Sequence, residues 1–234
     1  QGGFSTGHGH LREPNDIESY AALACIAIQS NQNDQHGGQS VPNFDYGMAP
    51  GVKKAYKRLY VTNLGKMLDF LEDVEDGVER MKALEGKIEH EYGVFPCMAW
   101  DNNYAELELA ELKKIVPEAE AMKMQDRSRK FADKEIRRKT YQAMEAFIHN
   151  LNTMHSRAGA QVPFSSINYG TDTSPEGRLV MESVMLATEA GLGNGETPIF
   201  PIQIFKVKEG VNYNPEDPNY DLFKLACKVS AKRL

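Results

Sequence analysis

The residues with the clearest chemical potential lie between Gln161 and Ser174. Read as a strand over Gln161–Tyr169, this stretch puts Ser166 and Asn168 on one face with Val162 and Phe164. Ser165 and Ile167 share the other face. Polar side chains on a strand covered on both sides need partners. Two accounts stand open, hydrogen bonding inside a core or the lining of a ligand site. Gly170-Thr171-Asp172-Thr173-Ser174 then reads as a turn between the C-terminal end of that strand and the start of a helix. Sheets with helical cover bind anions and ligands at such places, although Asp172 opposes phosphate.

Other constellations carry less. Glu18 and Gln29 are eleven residues apart, about three helical turns, and so share a face with Ala22 and Cys25. A solvated stripe is the plainer reading of that face. Gly191-Leu192-Gly193-Asn194-Gly195 looks like a phosphate-cradling loop, but it follows a helix and precedes a strand. The partial charge of a helix C-terminus has the wrong sign for phosphate, so a tight connection is expected. His8, His10 and His36 stand among glycines without a carboxylate or cysteine at supporting spacing, so no metal is assigned to them. Cys25, Cys97 and Cys227 have no neighbouring histidine or basic cluster and read as packing or surface thiols. Neither a GxSxG signature nor a Walker loop is present. These residues alone name no reaction.

The elements that must position them follow from periodicity. Pro14 fits the first position of a helix whose body runs from Ile17 to Gln32, with Ile17, Ala21, Ala24 and Ile28 in one stripe. Its many alanines permit close approach of another helix. Residues 31–50 contain two adjacent glycines and two prolines and read as a long ordered loop. Helices are expected over Val52–Asp73, interrupted in propensity by Gly65, and over the charged run Glu72–Glu91. Another spans Tyr104–Val116, stopped by Pro117, and a long one spans Lys130–Met154. Residues 1–155 thus form a helical region. Beyond it, Ser174 suits an N-cap, Pro175 the first helical position and Gly191 the residue that closes the helix after Ala190. A second strand is expected over Ile199–Val207, giving strand–helix–strand with parallel pairing, and helical spacing returns over Asp221–Val229. The fold class is α/β, a helix-rich N-terminal two-thirds followed by strand–helix–strand over 156–234.

Composition bounds the rest. The 234 residues hold 27 Lys plus Arg against 33 Asp plus Glu, a formal charge of −6. With 41% hydrophobic and 26% charged residues, the chain suits a globular protein. Bulk charge argues against binding nucleic acid polymers but allows a local phosphate site. No apolar run approaches the about 20 residues of a membrane span. Three scattered cysteines fit neither a disulfide framework nor a zinc site, so a reduced cytoplasmic compartment is expected. The chain starts at Gln1 without a signal-peptide pattern and stops inside helical spacing at Leu234, which suggests an internal piece of a longer protein.

Three long strings carry a resemblance. They are Ser30–Ser40 (SNQNDQHGGQS), His155–Thr173 (HSRAGAQVPFSSINYGTDT) and Glu189–Pro201 (EAGLGNGETPIFP). Each is similar to the anaerobic (class III) ribonucleoside-triphosphate reductases. The likeness covers nearly the whole chain and is weakest between Lys66 and Lys123. The resemblance implies part of a ten-stranded α/β barrel of the glycyl radical enzyme type. It implies reduction of ribonucleoside triphosphates to deoxyribonucleotides by glycyl and thiyl radical chemistry, with formate as reductant. The implied partners are a radical-SAM activase, a second copy in a homodimer, and dNTP and ATP effectors. A zinc site is implied in the C-terminal part of the family's chains.

The chain departs from the family pattern at its ends. The radical glycine segment, the zinc-binding cysteines and the N-terminal ATP-cone have no counterpart between Gln1 and Leu234. Cys25, Cys97 and Cys227 do not match the family's reacting cysteines, so no catalytic residue carries over and the isolated chain is expected not to turn over. Pro163–Asn168 matches the first barrel strand, which implies substrate contacts at Ser165, Ser166 and Asn168. The helix over Pro14–Gln32, paired with that from Val52, resembles the dimer-interface helices that hold the regulatory nucleotide. Glu18, Gln29 and Lys57 are the effector candidates there. Competing readings are another glycyl radical enzyme on the same barrel and a non-catalytic module for nucleotide binding and dimerisation.

Overall fold

A computed structural model describes residues 12–35, 37–70, 75–155 and 161–233. His8, His10, His36 and the expected helix start at Glu72 lie outside these residues. The chain forms two compact units, Gln1–Val52 with Lys139–Leu234, and Lys53–Arg138. These divide the chain elsewhere than the change of sequence character at residue 155, because the N-terminal residues join the strand-bearing part.

In the first unit, helix α1 spans Ile17–Asp34 and buries Ile17, Ala21, Cys25, Ile28 and Gln32. Asp16, not Pro14, marks its start. The Asp16 side chain accepts a hydrogen bond from Ser19 N at 2.9 Å, capping a donor the helix itself cannot satisfy. The expected loop over 31–50 is largely regular. Strand β1 covers Gln39–Val41, and helix α2 runs Phe44–Asp69 with Pro50 inside it. A proline restricts the residue before it to extended backbone, which places Val41 before Pro42 in a strand. Three residues are too few for alternation to show.

Strand β2 is Ser165–Tyr169 and strand β3 is Ile202–Phe205, with helix α6, Pro175–Ala190, between them. The sheet order is β1-β2-β3, and both pairings are parallel. Strand β2 is central and alternates between buried and half-buried residues. Ser174 caps α6 by accepting from Gly177 N at 3.1 Å, and Pro175 opens the helix as expected. The Gly191–Gly195 stretch is the expected tight connection, closed by Leu192 N donating to Glu196 O at 2.9 Å. Strand β3 is shorter than the expected Ile199–Val207. The amides of Ile199 and Phe200 donate to Asn152 Oδ1 at 2.9 and 3.1 Å, and Pro201 has no donor, so a ladder cannot form there. Helix α7, Tyr220–Arg233, packs on α6. The three-stranded parallel sheet with helical cover is α/β, as expected.

The second unit is helical. It holds the rest of α2, helix α3 at Gly77–Tyr92, helix α4 at Tyr104–Leu112, and the first part of helix α5, Glu118–Thr153. Helix α5 begins twelve residues before the expected Lys130, directly after Pro117. Of its early core positions, Ala121 is small and Ser128 polar, which leaves Met124 too isolated for the period to show. Gly65 does not break α2. A Cβ there would lie 2.4 Å from Val78 Cα, so the glycine lets α3 approach the helix backbone. Tyr56, Tyr60, Leu64, Leu68, Tyr104 and Leu112 are fully buried in this unit.

Candidate functional site

The turn after β2 is built around a buried carboxylate from the first turn of α2. Asp45 is 0% exposed, and its Oδ2 accepts from the amides of Gly170, Thr171 and Asp172, each at 3.0 Å. The carbonyls of the same residues are also occupied. Asn212 and Asn219 donate to Gly170 O at 2.8 and 3.2 Å, Tyr46 Oη donates to Thr171 O at 2.9 Å, and Asn219 donates to Asp172 O at 2.9 Å. Asp172 accepts from Ser174 N at 2.9 Å. This irregular backbone is thus saturated by side chains, as burial requires. The anion seat anticipated at Gly170–Ser174 already holds an internal anion, so the turn is a brace and not a phosphate site. Burial first, and the Asp45 charge second, push the nearby Tyr169 phenol well above its ordinary pKa.

The sheet separates the three expected substrate contacts. Ser165, Ile167 and Tyr169 are buried, whereas Ser166 and Asn168 lie on the opposite, half-exposed face. The register aligns Ser40 and Ile202 with Ser166, and Ile204 with Asn168. The open face therefore carries Ser40, Ser166 and Asn168 beside Ile202 and Ile204, which are 46% and 44% exposed. Ser40 Oγ lies 3.5 Å from Asn168 Oδ1. A ligand with hydroxyl groups and an apolar ring would meet matching groups there.

Sequence reasoning missed two members of this region. Ser40 sits in the stretch read as a loop. Lys206 follows Ile202 and Ile204 by the two-residue alternation, and its amide extends the ladder to Tyr169 O at 2.7 Å. Its Nζ donates to Pro42 O at 3.0 Å and Asn43 Oδ1 at 2.7 Å, at the far edge of the sheet. Gly170 lets the ends of β2 and β3 pack closely. Its φ is +133°, and a Cβ would lie 2.6 Å from Lys206 O. The two-residue alternation of the expected second strand was the signal for Lys206. Nothing in the sequence pointed to Asp45.

The effector candidates fall into different units. Glu18 and Gln29 lie on α1, where Glu18 holds Lys139 Nζ at 2.9 and 3.1 Å. Beside Glu18, a small cleft of about 130 Å³ is lined by Ala21, Ala22, Ala143, Ala146 and Phe147, with Gln142 and Asn150. Gln29 is half-buried and does not line it. Lys57 belongs to the second unit, where Glu85 Oε1 and Glu89 Oε2 hold its Nζ at 3.0 and 2.9 Å. Burial lowers the Lys57 pKa, but the two carboxylates outweigh it and leave the group above the ordinary lysine value.

Cys25 is buried against Phe147 O, and burial pushes its pKa up to about 12. Among the described residues, no three His, Cys, Asp or Glu side chains could hold a metal ion together. A cavity of about 490 Å³ opens beside β3, between Tyr169, Met185, Phe205 and Phe223. Three of its polar groups form a chain, Tyr169 Oη donating to Gln203 Oε1 at 2.6 Å and Gln203 Nε2 to Thr188 Oγ1 at 2.5 Å. Among the described residues, no helix is long and apolar enough to cross a membrane.

The family model described as anaerobic ribonucleoside-triphosphate reductase matches residues 1–234. The chain belongs to the anaerobic ribonucleoside-triphosphate reductase family. It is 33% identical to the anaerobic ribonucleoside-triphosphate reductase of Escherichia coli (strain K12), over 99% of this chain and 25% of that protein. It is 32% identical to the protein of the same name from Enterobacteria phage T4, over 100% of this chain and 29% of that protein. A third reductase, from Haemophilus influenzae, is 36% identical over 42% of this chain. The chain spans about a quarter of the length of the E. coli relative. Membership agrees with the three strings quoted above, two of which contain Gln39 and Ser40 of β1 and the whole of β2.

Proposed function

We propose that this chain is the part of an anaerobic ribonucleoside-triphosphate reductase that presents one wall of the substrate cavity. The observation that carries the proposal is the row Ser40, Ser166 and Asn168 on the half-exposed face of a parallel sheet. A sheet buried on both faces would be apolar throughout. Hydroxyl and amide groups on the open face suit ribose hydroxyls, and Ile202 and Ile204 suit a base or sugar edge. Ser165 faces the covered side and serves packing. The brace around Asp45 holds the strand ends rigid, which fixes Ser166 and Asn168 in position.

On this reading the strands belong to a ten-stranded barrel completed by other parts of the full-length protein. Those parts carry the radical glycine, the reacting cysteines and the zinc ligands, and the glycyl radical supplies the oxidising power for reduction with formate. The residues of this chain bind and orient the substrate and help keep water from it. A radical-SAM activase, a homodimer and a cytoplasmic setting belong to the same proposal. Within it, α1 and its small cleft with α5 form the regulatory face, with Glu18 and Gln29 as contacts for a dNTP or ATP effector. The shallow alanine-lined surface suits the close approach of a second copy's helix.

The test is kinetic. In the full-length, activated reductase, Asn168→Ala and Ser166→Ala are expected to raise the KM for ribonucleoside triphosphates about tenfold each, the size of a lost hydrogen bond to a bound polar group. Unchanged KM and kcat in both variants would remove the open face from the substrate cavity.

A further inference from the structure

We propose that Lys206 binds the phosphate end of the ribonucleoside triphosphate substrate. The inference rests on the open sheet face being the substrate wall and adds the cation of that wall. Three observations support it. Lys206 continues the row Ile202, Ile204 at the C-terminal end of β3, where open parallel sheets hold their ligands. Its ammonium lies on the exposed side and is held by two neutral oxygens, Pro42 O and Asn43 Oδ1, at 3.0 and 2.7 Å. An ammonium carries three donors, so one N–H remains for an anion. The carboxylates of the same junction are engaged by partners of their own, Asp45 by three backbone amides and Asp172 by Ser174 N.

The arrangement also fixes the substrate's direction. Asn168 stands two residues before Gly170 on the central strand, and Lys206 N bonds Tyr169 O beside it. A ribose against Ser166 and Asn168 would therefore point its phosphate chain along the strands toward Lys206. Pro42 O and Asn43 Oδ1 hold the flexible lysine stem in place before the ligand arrives, which lowers the entropy lost on binding. A charge-assisted contact of this kind favours the triphosphate over the bare nucleoside.

The experiment compares two ligands in the full-length protein, with a dNTP saturating any separate regulatory site. Equilibrium binding is measured for a ribonucleoside triphosphate and for the same ribonucleoside. Lys206→Met is expected to weaken the triphosphate about tenfold and to leave the ribonucleoside unchanged, and Lys206→Arg to restore most of the loss. An equal loss for both ligands, or no loss for either, overturns the proposal and leaves Lys206 as a structural tie. A second measurement needs no variant. Acetylation footprinting of the wild-type protein should show Lys206 protected by the triphosphate and not by the ribonucleoside, and equal labelling with both overturns the proposal. Asn168→Ala reports separately. If it alters neither ligand, the substrate wall itself is misplaced.

Discussion

Asp45 Oδ2 lies 3.0 Å from the amide of Gly170, 125 residues away in the chain. The same oxygen takes the next two amides, so one carboxylate from α2 closes the C-terminal end of β2. A buried charge is tolerable only when hydrogen bonds replace its lost hydration, and three backbone donors do so here. The brace joins the helix that follows β1 to the strand that carries Ser166 and Asn168.

Removing the brace should loosen the site before it unfolds the chain. Asp45→Ala leaves the buried amides of Gly170 and Asp172 and the half-buried amide of Thr171 without an acceptor and is expected to destabilise the protein by about 3–5 kcal/mol. Hydrogen exchange followed by mass spectrometry should show faster exchange over residues 170–172, together with a lower denaturation midpoint. Unaltered exchange at these amides would show that water replaces the carboxylate at no cost.

The helical unit carries a pH response of its own. Glu108 is 0% exposed and accepts from Tyr60 Oη at 2.5 Å, Tyr104 Oη at 2.9 Å and Gln125 Nε2 at 2.8 Å, all neutral donors. Burial outweighs these hydrogen bonds and raises its pKa from 4.5 to about 7. A pKa raised on folding gives stability that is complete below about pH 4.5 and is lost as pH rises through about 7. The loss amounts to about 3 kcal/mol across that window. Glu108→Gln should flatten the denaturation midpoint between pH 5 and 8, and an unchanged slope would assign the pH response elsewhere.

Effector binding is expected to respond to changes on α1. Glu18→Ala and Gln29→Ala should each weaken dNTP binding to the full-length protein by about 1–3 kcal/mol, read by calorimetry. Removing Glu18 also frees Lys139, so Lys139→Ala belongs in the same series. Full affinity in all three variants would take the regulatory nucleotide off α1.

Lys57 should behave differently. Two carboxylates already hold it, so a triphosphate would have to displace them. Lys57→Ala is expected to leave dNTP affinity unchanged and to lower thermal stability, because Glu85 then loses the cation that compensates its burial. A tenfold loss of affinity with unaltered stability would return Lys57 to the effector site.

Local chemistry was legible in the sequence and long-range chemistry was not. Ser174, Pro175 and Gly191 announced α6 because capping, φ restriction and a glycine at positive φ act within a few residues, although Gly191, at φ 86° and ψ −171°, is not in the left-handed helical conformation expected of it. The period of two along 165–169 assigned Ser166 and Asn168 to one face and Ser165 to the other, since alternation is a property of the strand alone. The tertiary structure decided the rest. It paired β1 with β2 across more than a hundred residues, which brought Ser40 beside Ser166. It spent the donors of the Gly170 turn on Asp45, carried Lys206 to the edge of β1, and gave Lys57 to Glu85 and Glu89. Each of these is a pairing of charge or hydrogen bond between distant segments. Sequence spacing sets which way a side chain points along its own element, but only packing sets what it meets.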